Sequence, residues 1–310
     1  MKRVLFMGTP DFAVPCLKQI IEDKYTVVGV VTQPDKPKGR GHKMVPPPVK
    51  ECAIEKEIPV FQPETLKNES FLEELNNLAP DIIIVVAYGK ILPEYILNYP
   101  KFGCVNVHAS LLPKYRGAGP IQWSVINGEK TTGVTTMYME KGLDTGDMIL
   151  KAETPIGDNE TYGELHDRLS VLGAELLSKT MKEIANGTAK REKQYDALSC
   201  YAPMISKETG HIDWSKSGDE ILNLIRGTNP WPMSYSLYDG VPMKIISGTL
   251  EKDAKGIEGE IIRADKSGIL VACGGGCGIL IREIQMQGSK RMDVASYLNG
   301  HEIKVNTILE

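Results

Sequence analysis

Short apolar runs of strand length recur along the first half of the chain and alternate with stretches of helical periodicity. The runs cover residues 4–7, 26–31, 81–87, 104–108 and 133–139. Helical spacing of apolar residues begins at Asp11, recurs between Glu64 and Leu78, and extends from Thr161 to Asn186. Because parallel sheets are covered by helices on both faces, this alternation predicts an α/β domain with a mostly parallel sheet.

The pattern changes in the last third of the chain, where short alternating runs are separated by glycine turns. These runs cover residues 235–238, 243–247, 259–263, 268–273 and 278–284. They predict a small β-barrel of about five or six strands, with helices near 218–226 and 294–298. A polar stretch without periodicity, of the kind that joins domains, precedes them. We therefore expect one domain over residues 1–189, a linker over 190–206 and a second domain over 207–310.

The stretch from Cys104 to Gln122 carries the clearest candidate chemistry. Its first five residues alternate in polarity as a strand does, which places Asn106 and His108 on one face. Pro113 and the glycine-rich segment 116–120 then form a loop that permits close backbone approach. Ligands of parallel sheets bind beyond the carboxyl ends of the strands. An amide donor and an imidazole there suit the charge stabilisation and proton transfer of an addition to a carbonyl group.

Asp144 is a third candidate, because it lies in the glycine-flanked acidic turn over residues 140–147. A neighbouring loop could hold its carboxylate against His108. Each candidate also has an ordinary structural interpretation. A histidine on a strand is commonly a core or surface residue, and asparagine and aspartate are common turn formers. Only the combination of these residues with further motifs favours a catalytic site.

Residues 33–50 form a basic segment rich in proline and glycine. Its cations oppose a single acid, Asp35, and are Lys36, Lys38, Arg40, Lys43 and Lys50. With many breakers and no periodicity, the segment is predicted to be a long loop. Composition alone favours a solvated surface loop. The functional interpretation is a basic arm that neutralises the phosphates of a polyanion and binds it in a salt-dependent way.

Composition limits the classes of function. A chain of 310 residues with 42% hydrophobic residues is long enough for two domains. Its net charge of -4 argues against a broadly basic nucleic-acid binder, so any RNA contact requires a local patch. The N-terminal apolar run stops at Gly8, too soon for a signal peptide, and no run of about 18 apolar residues could span a membrane. The sequence therefore predicts a cytoplasmic protein.

The common cofactor motifs do not occur in the sequence. The first turn, Gly8 to Ala13, lacks the spacing of the dinucleotide fingerprint, and residues 128–132 lack the upstream glycine of a P-loop. Cys273 and Cys277 have no second cysteine pair or nearby histidine, so they are weak evidence for a metal site. We predict no metal site.

Four separated motifs together resemble those of a known family. They are GTPDFA at residues 8–13, VVAYGKILP at 85–93, NVHASLLPKYRGAGPIQ at 106–122 and GLDTGD at 142–147. In this order they are similar to the 10-formyltetrahydrofolate-dependent formyltransferases. The full length, with its basic segment, linker and β-rich last third, resembles the members that act on methionyl-tRNA. The resemblance implies a Rossmann-like catalytic domain followed by an OB-like β-barrel that helps to hold tRNA.

The resemblance also implies roles for individual residues. The implied catalytic triad is Asn106, His108 and Asp144. The residues implied to line the folate site are Ser110, Leu111, Leu112 and Pro113, with Ile91 and Leu92 near the pterin. The implied tRNA contacts are Arg40, near the acceptor stem, with Lys36, Lys38 and Lys43 beside it.

The implied reaction moves the formyl group of 10-formyltetrahydrofolate onto the free amino group of initiator methionyl-tRNA. It needs no metal and no covalent nucleophile, and we expect a monomer. Two alternatives stay open. A formyltransferase for a small amine, such as a purine precursor or an amino sugar, or a formyl-folate hydrolase could share the triad, because the triad addresses the formyl donor. A non-catalytic RNA-binding protein would explain the basic segment and the barrel, but not the triad.

Overall fold

The computed structural model describes residues 1–38 and 43–310, with the side chains of Lys38 and Lys43 outside the description. Contacts within the molecule group the chain into two compact units. The N-terminal unit comprises Met1–Gly117, Thr132–Thr154 and His166–Tyr201, and the C-terminal unit comprises Ala118–Thr131, Pro155–Leu165 and Ala202–Glu310. The domain borders expected at residues 189 and 207 stay predictions.

The main sheet belongs to the N-terminal unit. The strands up to residue 202 are β1 (Arg3–Gly8), β2 (Thr26–Val31), β3 (Lys36–Lys38), β4 (Lys43–Val45), β5 (Val60–Phe61), β6 (Ile82–Val86), β7 (Cys104–His108), β8 (Arg116–Gly117), β9 (Thr131–Tyr138), β10 (Met148–Pro155) and β11 (Tyr201–Ala202). The sheet order is β10-β9-β7-β6-β1-β2-β5. Its pairs β1 with β2, β1 with β6, β2 with β5 and β6 with β7 are parallel, whereas β7 and β9 are antiparallel. The predicted mostly parallel sheet is confirmed.

Helices connect and cover these strands. They are α1 (Val14–Glu22), α2 (Pro48–Glu55), α3 (Leu72–Leu78), α4 (Glu94–Leu97), α5 (Pro120–Ile126), α6 (Tyr162–Asn186), α7 (Gly218–Gly227) and α8 (Val294–Leu298). Every residue of β6 is buried, as expected for a central strand of a sheet covered on both faces. Helix α1 buries Cys16, Leu17 and Ile20, which share one helical face. Within the described ranges, no helix combines the length and apolar character that a membrane crossing needs.

Two predicted elements differ from the structure. The helix expected over residues 64–78 is confined to α3, because Asn68 and Glu69 have positive φ angles of 54° and 57° that interrupt helical propagation. The long loop expected over residues 33–50 contains the antiparallel hairpin β3-β4 and the first residues of α2. Helix α2 can begin at Pro48 because the first helical residue needs no amide hydrogen for the helix.

A partly buried polar cluster holds the two ends of the basic segment together. The carboxylate of Asp35 accepts hydrogen bonds from Lys50 Nζ at 2.8 and 2.9 Å and from Gln62 Nε2 at 2.8 Å. The bond from Lys50, followed by that from Gln62, lowers the pKa of Asp35 below its ordinary value. This cluster joins the residue before β3 to α2, so both ends of the hairpin are fixed to the N-terminal unit.

The C-terminal unit contains an antiparallel sheet. Its strands are β12 (Ser234–Tyr238), β13 (Val241–Glu251), β14 (Ile261–Asp265), β15 (Gly268–Cys273), β16 (Cys277–Met286) and β17 (Met292–Asp293). The order is β12-β13-β16-β15-β14, with β17 paired to β16. Helix α7 begins with a capping box in which Ser217 and Glu220 satisfy each other's backbone amides. The prediction of a small β-barrel after the α/β domain is confirmed.

The last residues of the chain connect the two edge strands of this sheet. On the β14 side, the Leu309 amide donates to the Gly259 carbonyl, the Ile261 amide donates to the Thr307 carbonyl, and the Asn306 amide donates to the Ile261 carbonyl. On the β12 side, Glu310 and Leu237 exchange backbone hydrogen bonds of 2.7 and 3.1 Å. Leu309 is buried between these edges. Pairing both edges in this way removes the exposed strand edges that an open sheet would present.

Two tyrosines of the N-terminal unit allow a matched stability test. Tyr88 is 1% exposed, and its hydroxyl has no hydrogen-bond partner within residues 1–38 and 43–310. Burial raises the pKa of Tyr88 to about 12. Tyr95 differs, because its hydroxyl accepts a hydrogen bond from the Phe71 amide at 3.3 Å. An unpaired buried hydroxyl costs free energy, whereas a paired one contributes about 1 kcal/mol.

We expect Tyr88→Phe to leave the free energy of unfolding unchanged or raised by about 1 kcal/mol, and Tyr95→Phe to lower it by a similar amount. Urea unfolding at neutral pH measures both variants. The wild type should also lose stability relative to Tyr88→Phe as the pH rises from the ordinary tyrosine pKa of 10.0 to about 12, because the unfolded state ionises first. A destabilised Tyr88→Phe variant would mean that the hydroxyl has a partner.

Candidate active site

The carboxyl end of β7 places the two residues that the sequence singled out. Asn106 pairs with Val85 of parallel β6 and with Met137 of antiparallel β9, and His108 pairs with Thr135. Asn106 is 9% exposed and His108 is 6% exposed. Two residues apart on one strand, they share a face of the sheet. The strand therefore holds an amide and an imidazole side by side in a largely water-excluded position.

The His108 ring lies between a backbone carbonyl and a carboxylate. Its Nε2 is 2.9 Å from the carbonyl oxygen of Tyr115, and its Nδ1 is 3.7 Å from Oδ2 of Asp144. A carbonyl oxygen only accepts hydrogen bonds, so Nε2 carries a hydrogen in this arrangement. The nitrogen that faces Asp144 is then the one that can gain or lose a proton, and the carboxylate can stabilise a proton held there.

Asp144 lies in the turn between β9 and β10. Its Oδ2 accepts a hydrogen bond from the Gly117 amide at 2.9 Å, and its side chain is 13% exposed. The backbone of Asp144 is left-handed, with φ of 52°, and so is that of Tyr115, with φ of 60°. Both residues that contact His108 thus occupy a conformation that costs free energy in residues other than glycine and that is concentrated at functional sites.

Asn106 has a different environment. Within the described ranges its side-chain amide makes no hydrogen bond to the protein, and it is not fully shut off from solvent. An amide of this kind can donate to the oxygen of a bound ligand without breaking a bond inside the protein. The structure thus brings Asn106, His108 and Asp144 together, as the sequence predicted.

The residues predicted to line a folate site fall into two groups. Three are buried and bonded or packed within the protein: Ser110, whose hydroxyl donates to the Lys114 carbonyl at 2.7 Å, Leu112 and Leu92. The others retain exposed surface: Ile91, which is 86% exposed, Leu111 and Pro113. Ser110 and Leu112 help to shape the loop after β7, Leu92 is buried in the segment after β6, and only the second group presents surface to a ligand. Their assignment to folate stays a prediction.

Thr135 fixes this loop to the sheet. Its hydroxyl donates to the Ser110 carbonyl at 2.7 Å and accepts from the Leu112 amide at 3.1 Å. The hydroxyl is fully buried, and its donor and acceptor are both used. A threonine on the neighbouring strand therefore determines how the chain leaves β7 just after His108.

The predicted tRNA-binding residues are only partly described. Lys36 is exposed on β3. Arg40 lies outside the described residues, and so do the side chains of Lys38 and Lys43. The backbones of Lys38 and Lys43 are paired across the β3-β4 hairpin. These four assignments stay predictions.

One supporting residue escaped the sequence analysis. Gln194 lies in the polar stretch interpreted as a linker, yet its amide donates to the carbonyl oxygens of Asp144 and Gly146. From the same stretch, Cys200 accepts the Tyr115 amide hydrogen bond at its sulfur, at 3.2 Å. Such contacts leave no periodic signal, because they depend on single side chains of an irregular segment.

The described residues also bear on metal binding. In the part of the chain that the structure describes, no three residues among His, Cys, Asp and Glu are grouped so that they could hold a metal ion. Asn106, His108 and Asp144 can instead supply a hydrogen-bond donor, a proton-exchanging ring and a carboxylate that orients the ring. This set suits the charge stabilisation and proton transfer of an addition to a carbonyl group.

Comparisons with known proteins agree with this chemistry. The formyl transferase family model matches residues 1–181, and the model for the formyl transferase C-terminal domain matches residues 204–302. The chain is 55% identical over 308 residues to the methionyl-tRNA formyltransferase of Alkaliphilus oremlandii, with 99% of each chain covered. It is 53% identical over 309 residues to that of Clostridioides difficile, again with 99% of each chain covered.

The fold has solved relatives as well. The structure aligns with an N-formyltransferase from Helicobacter canadensis, solved with folinic acid and dTDP-3-aminofucose, with a TM-score of 0.68 and 24% identity. The alignment covers 92% of this chain and 100% of that chain. At this identity the likeness shows the fold alone, whereas the full-length sequence identities are more than twice as high. The chain belongs to the formyltransferase family and, within it, to the methionyl-tRNA formyltransferases.

Proposed function

We propose that this chain transfers the formyl group of 10-formyltetrahydrofolate to the free amino group of initiator methionyl-tRNA. The observation that carries the proposal is identity of 50 to 55% to methionyl-tRNA formyltransferases along 99% of the chain, across both units. The triad alone addresses only the formyl donor. A match that also spans the C-terminal unit supports the choice of acceptor.

In the proposed reaction, the lone pair of the methionyl amine attacks the formyl carbon, and the carbonyl oxygen gains negative charge. The bond between the formyl carbon and N10 of the folate then breaks. The attacking nitrogen loses one proton, and N10 gains one. The products are N-formylmethionyl-tRNA and tetrahydrofolate. The enzyme therefore has to stabilise an oxyanion and transfer a proton between two nitrogens.

Asn106 is assigned to the oxyanion, because its amide is a donor without a bond to the described protein atoms. Removing a single donor of this kind costs about 100- to 1000-fold in turnover. His108 is assigned to proton transfer through Nδ1, the nitrogen that faces Asp144. Asp144 orients the ring and stabilises its protonated form. An α-amino group has a reference pKa of about 8, so part of it is already neutral near pH 7.

Substrate binding is assigned to the loops around this triad. The segment Ser110 to Pro113, with Ile91 and Leu92, would bind the folate, and Ile91 offers the largest exposed apolar surface there. The basic segment, with Lys36, Lys38, Arg40 and Lys43, would neutralise phosphates near the acceptor stem. The C-terminal β-barrel would add a second contact surface for tRNA. Electrostatic contacts of this kind give affinity that falls with salt concentration.

Transfer of a labelled formyl group tests the acceptor. The assay uses 10-formyltetrahydrofolate with methionyl-tRNA, beside uncharged tRNA, free methionine and an amine of the purine pathway. We expect label only in the methionyl-tRNA. Label only in a small amine, or release of formate without an acceptor, would replace the proposal by one of the alternative activities. Binding of tRNA without any transfer would favour a non-catalytic RNA-binding protein.

The triad gives a second prediction. We expect Asn106→Ala, His108→Ala and Asp144→Ala each to lower turnover by at least about 100-fold while the protein stays folded. The three changes remove, in that order, the oxyanion donor, the proton carrier and the carboxylate that orients it. His301→Ala is the matched control, because His301 is exposed on the C-terminal unit, where its ring stacks on Tyr297. Turnover is measured by the transfer assay, and circular dichroism checks that each variant is folded. Near wild-type turnover of His108→Ala would refute the proposed mechanism.

The basic segment gives a third prediction. Arg40→Ala is expected to raise KM for methionyl-tRNA, to change the saturating rate little, and to flatten the plot of log affinity against log salt by about one unit of slope. Lys56→Ala is the control, because Lys56 lies at the end of α2, beside Glu55. Equal salt slopes for Arg40→Ala and the wild type would return the segment to the interpretation of a solvated loop.

A further inference from the structure

The side-chain amide of Gln194 uses all its hydrogen-bonding groups on two segments, the turn that contains Asp144 and the loop that contains Arg116. Its Nε2 donates to the carbonyl oxygens of Asp144 and Gly146, each at 2.8 Å. Its Oε1 accepts from Nε of Arg116 at 2.9 Å. Both donor hydrogens and the acceptor of one amide are thus used within the N-terminal unit. An exposed linker residue would be expected to bind water with these groups.

These three bonds act on Asp144 from two sides. On one side, Gln194 is hydrogen-bonded to the backbone of the turn, at Asp144 and at Gly146. On the other side, it holds Arg116, and the next residue is Gly117, whose amide donates to the Asp144 carboxylate at 2.9 Å. The residue therefore connects the peptide unit of Asp144 with the loop that fixes its carboxylate.

The other partner of Arg116 is weaker. Nη2 of Arg116 lies 2.9 Å from Oδ1 of Asp196, but the Asp196 side chain is 85% exposed. Exposed ion pairs contribute little, because water and salt screen them. The Arg116 side chain is only 12% exposed, so Gln194 is its better-protected anchor. Loss of Gln194 would leave the Arg116 loop held mainly by this exposed pair and by backbone bonds.

The backbone of Asp144 also needs support. Its φ of 52° is in the left-handed region, which is unfavourable for residues other than glycine. Such a conformation persists only when its surroundings hold it. The two carbonyl bonds from Gln194 supply a constraint at that point. Without them the turn can relax, and the carboxylate, 3.7 Å from the His108 ring, can move away from it.

We propose that Gln194 is a positioning residue that holds Asp144 in its working geometry against His108. The proposal rests on the proposed function, in which Asp144 orients the catalytic histidine. It assigns a role in the reaction to the polar stretch that the sequence analysis interpreted as a linker. Because Gln194 acts through Asp144 and not through a substrate, its loss should lower kcat and leave both KM values nearly unchanged.

The test measures kcat and KM in the formyl-transfer assay for Gln194→Met, which keeps the length and removes every hydrogen bond. We expect kcat to fall about 10- to 100-fold, with each KM within about twofold of the wild type. Gln194→Glu retains an acceptor for Arg116 but cannot donate to the two carbonyl oxygens, and it should lose kcat to a similar extent. Should Gln194→Met fail to fold, Gln194→Glu carries the same test.

The matched control is Gln19→Met. Gln19 lies on α1 of the N-terminal unit, and its side-chain amide donates to Oδ1 of Asp23, the residue after α1, at 3.1 Å. We expect its kinetic constants to equal those of the wild type. Wild-type kcat in both folded Gln194 variants would overturn the proposal, and so would a loss confined to KM or to thermal stability.

A double-mutant cycle with Asp144→Asn separates this proposal from the proposed function. If Gln194 acts through Asp144, adding Gln194→Met to Asp144→Asn should change kcat by less than about twofold. Effects that multiply in full would overturn the positioning role. Wild-type kcat in Asp144→Asn alone would overturn the catalytic role of Asp144. A low kcat in Asp144→Asn with wild-type kcat in Gln194→Met would overturn only the inference on Gln194.

Discussion

The His108 ring, held between the Tyr115 carbonyl and the Asp144 carboxylate, is the arrangement on which the rest of the site depends. The ring is 6% exposed, so neither of its nitrogens could be left without a polar neighbour at low cost. The hydrogen bond to Tyr115 fixes the position of one hydrogen and directs the other nitrogen to Asp144. Strand β7 supplies the rigid base for the ring, while the two loops supply its partners. The orientation of the His108 ring is therefore determined by the protein itself, as the proposed catalytic role requires.

This arrangement requires loops that would not adopt their conformations alone. Both Tyr115 and Asp144 have left-handed backbones, and both are bonded to the stretch that follows α6, through Cys200 and Gln194. The free-energy cost of the two left-handed residues is thus offset by hydrogen bonds from a third segment of the chain. A polar segment with little regular structure is suited to this task, because its side chains can bond to loop backbone groups that no helix or strand pairs.

The sequence predicted the parts of the molecule that depend on local periodicity. The bounds of β2 and β7 agree with the predicted runs, since β-branched residues between turn formers mark buried strands clearly. Asn106 and His108 were singled out because they lie two residues apart at one strand end, whereas their grouping with Asp144 as a catalytic triad came from the family resemblance and stays a prediction. The start of α3, the β3-β4 hairpin and the hydrogen bonds of Gln194 were missed. Each depends on backbone angles or single side-chain bonds that residue patterns do not encode.

The division of the chain into two units fits the two tasks of the proposed function. The three residues to which we assign the formyl-donor chemistry, Asn106, His108 and Asp144, all lie in the N-terminal unit. Acceptor recognition needs surface and positive charge, which an acidic chain of net charge -4 can provide only in a local segment. The relative with 24% identity, solved with an aminosugar nucleotide, shares the fold of both units. At that identity the likeness shows the fold alone, so the same sheet can be retained while most side chains change. Loops and surface charge can therefore change without rebuilding the sheet that holds His108.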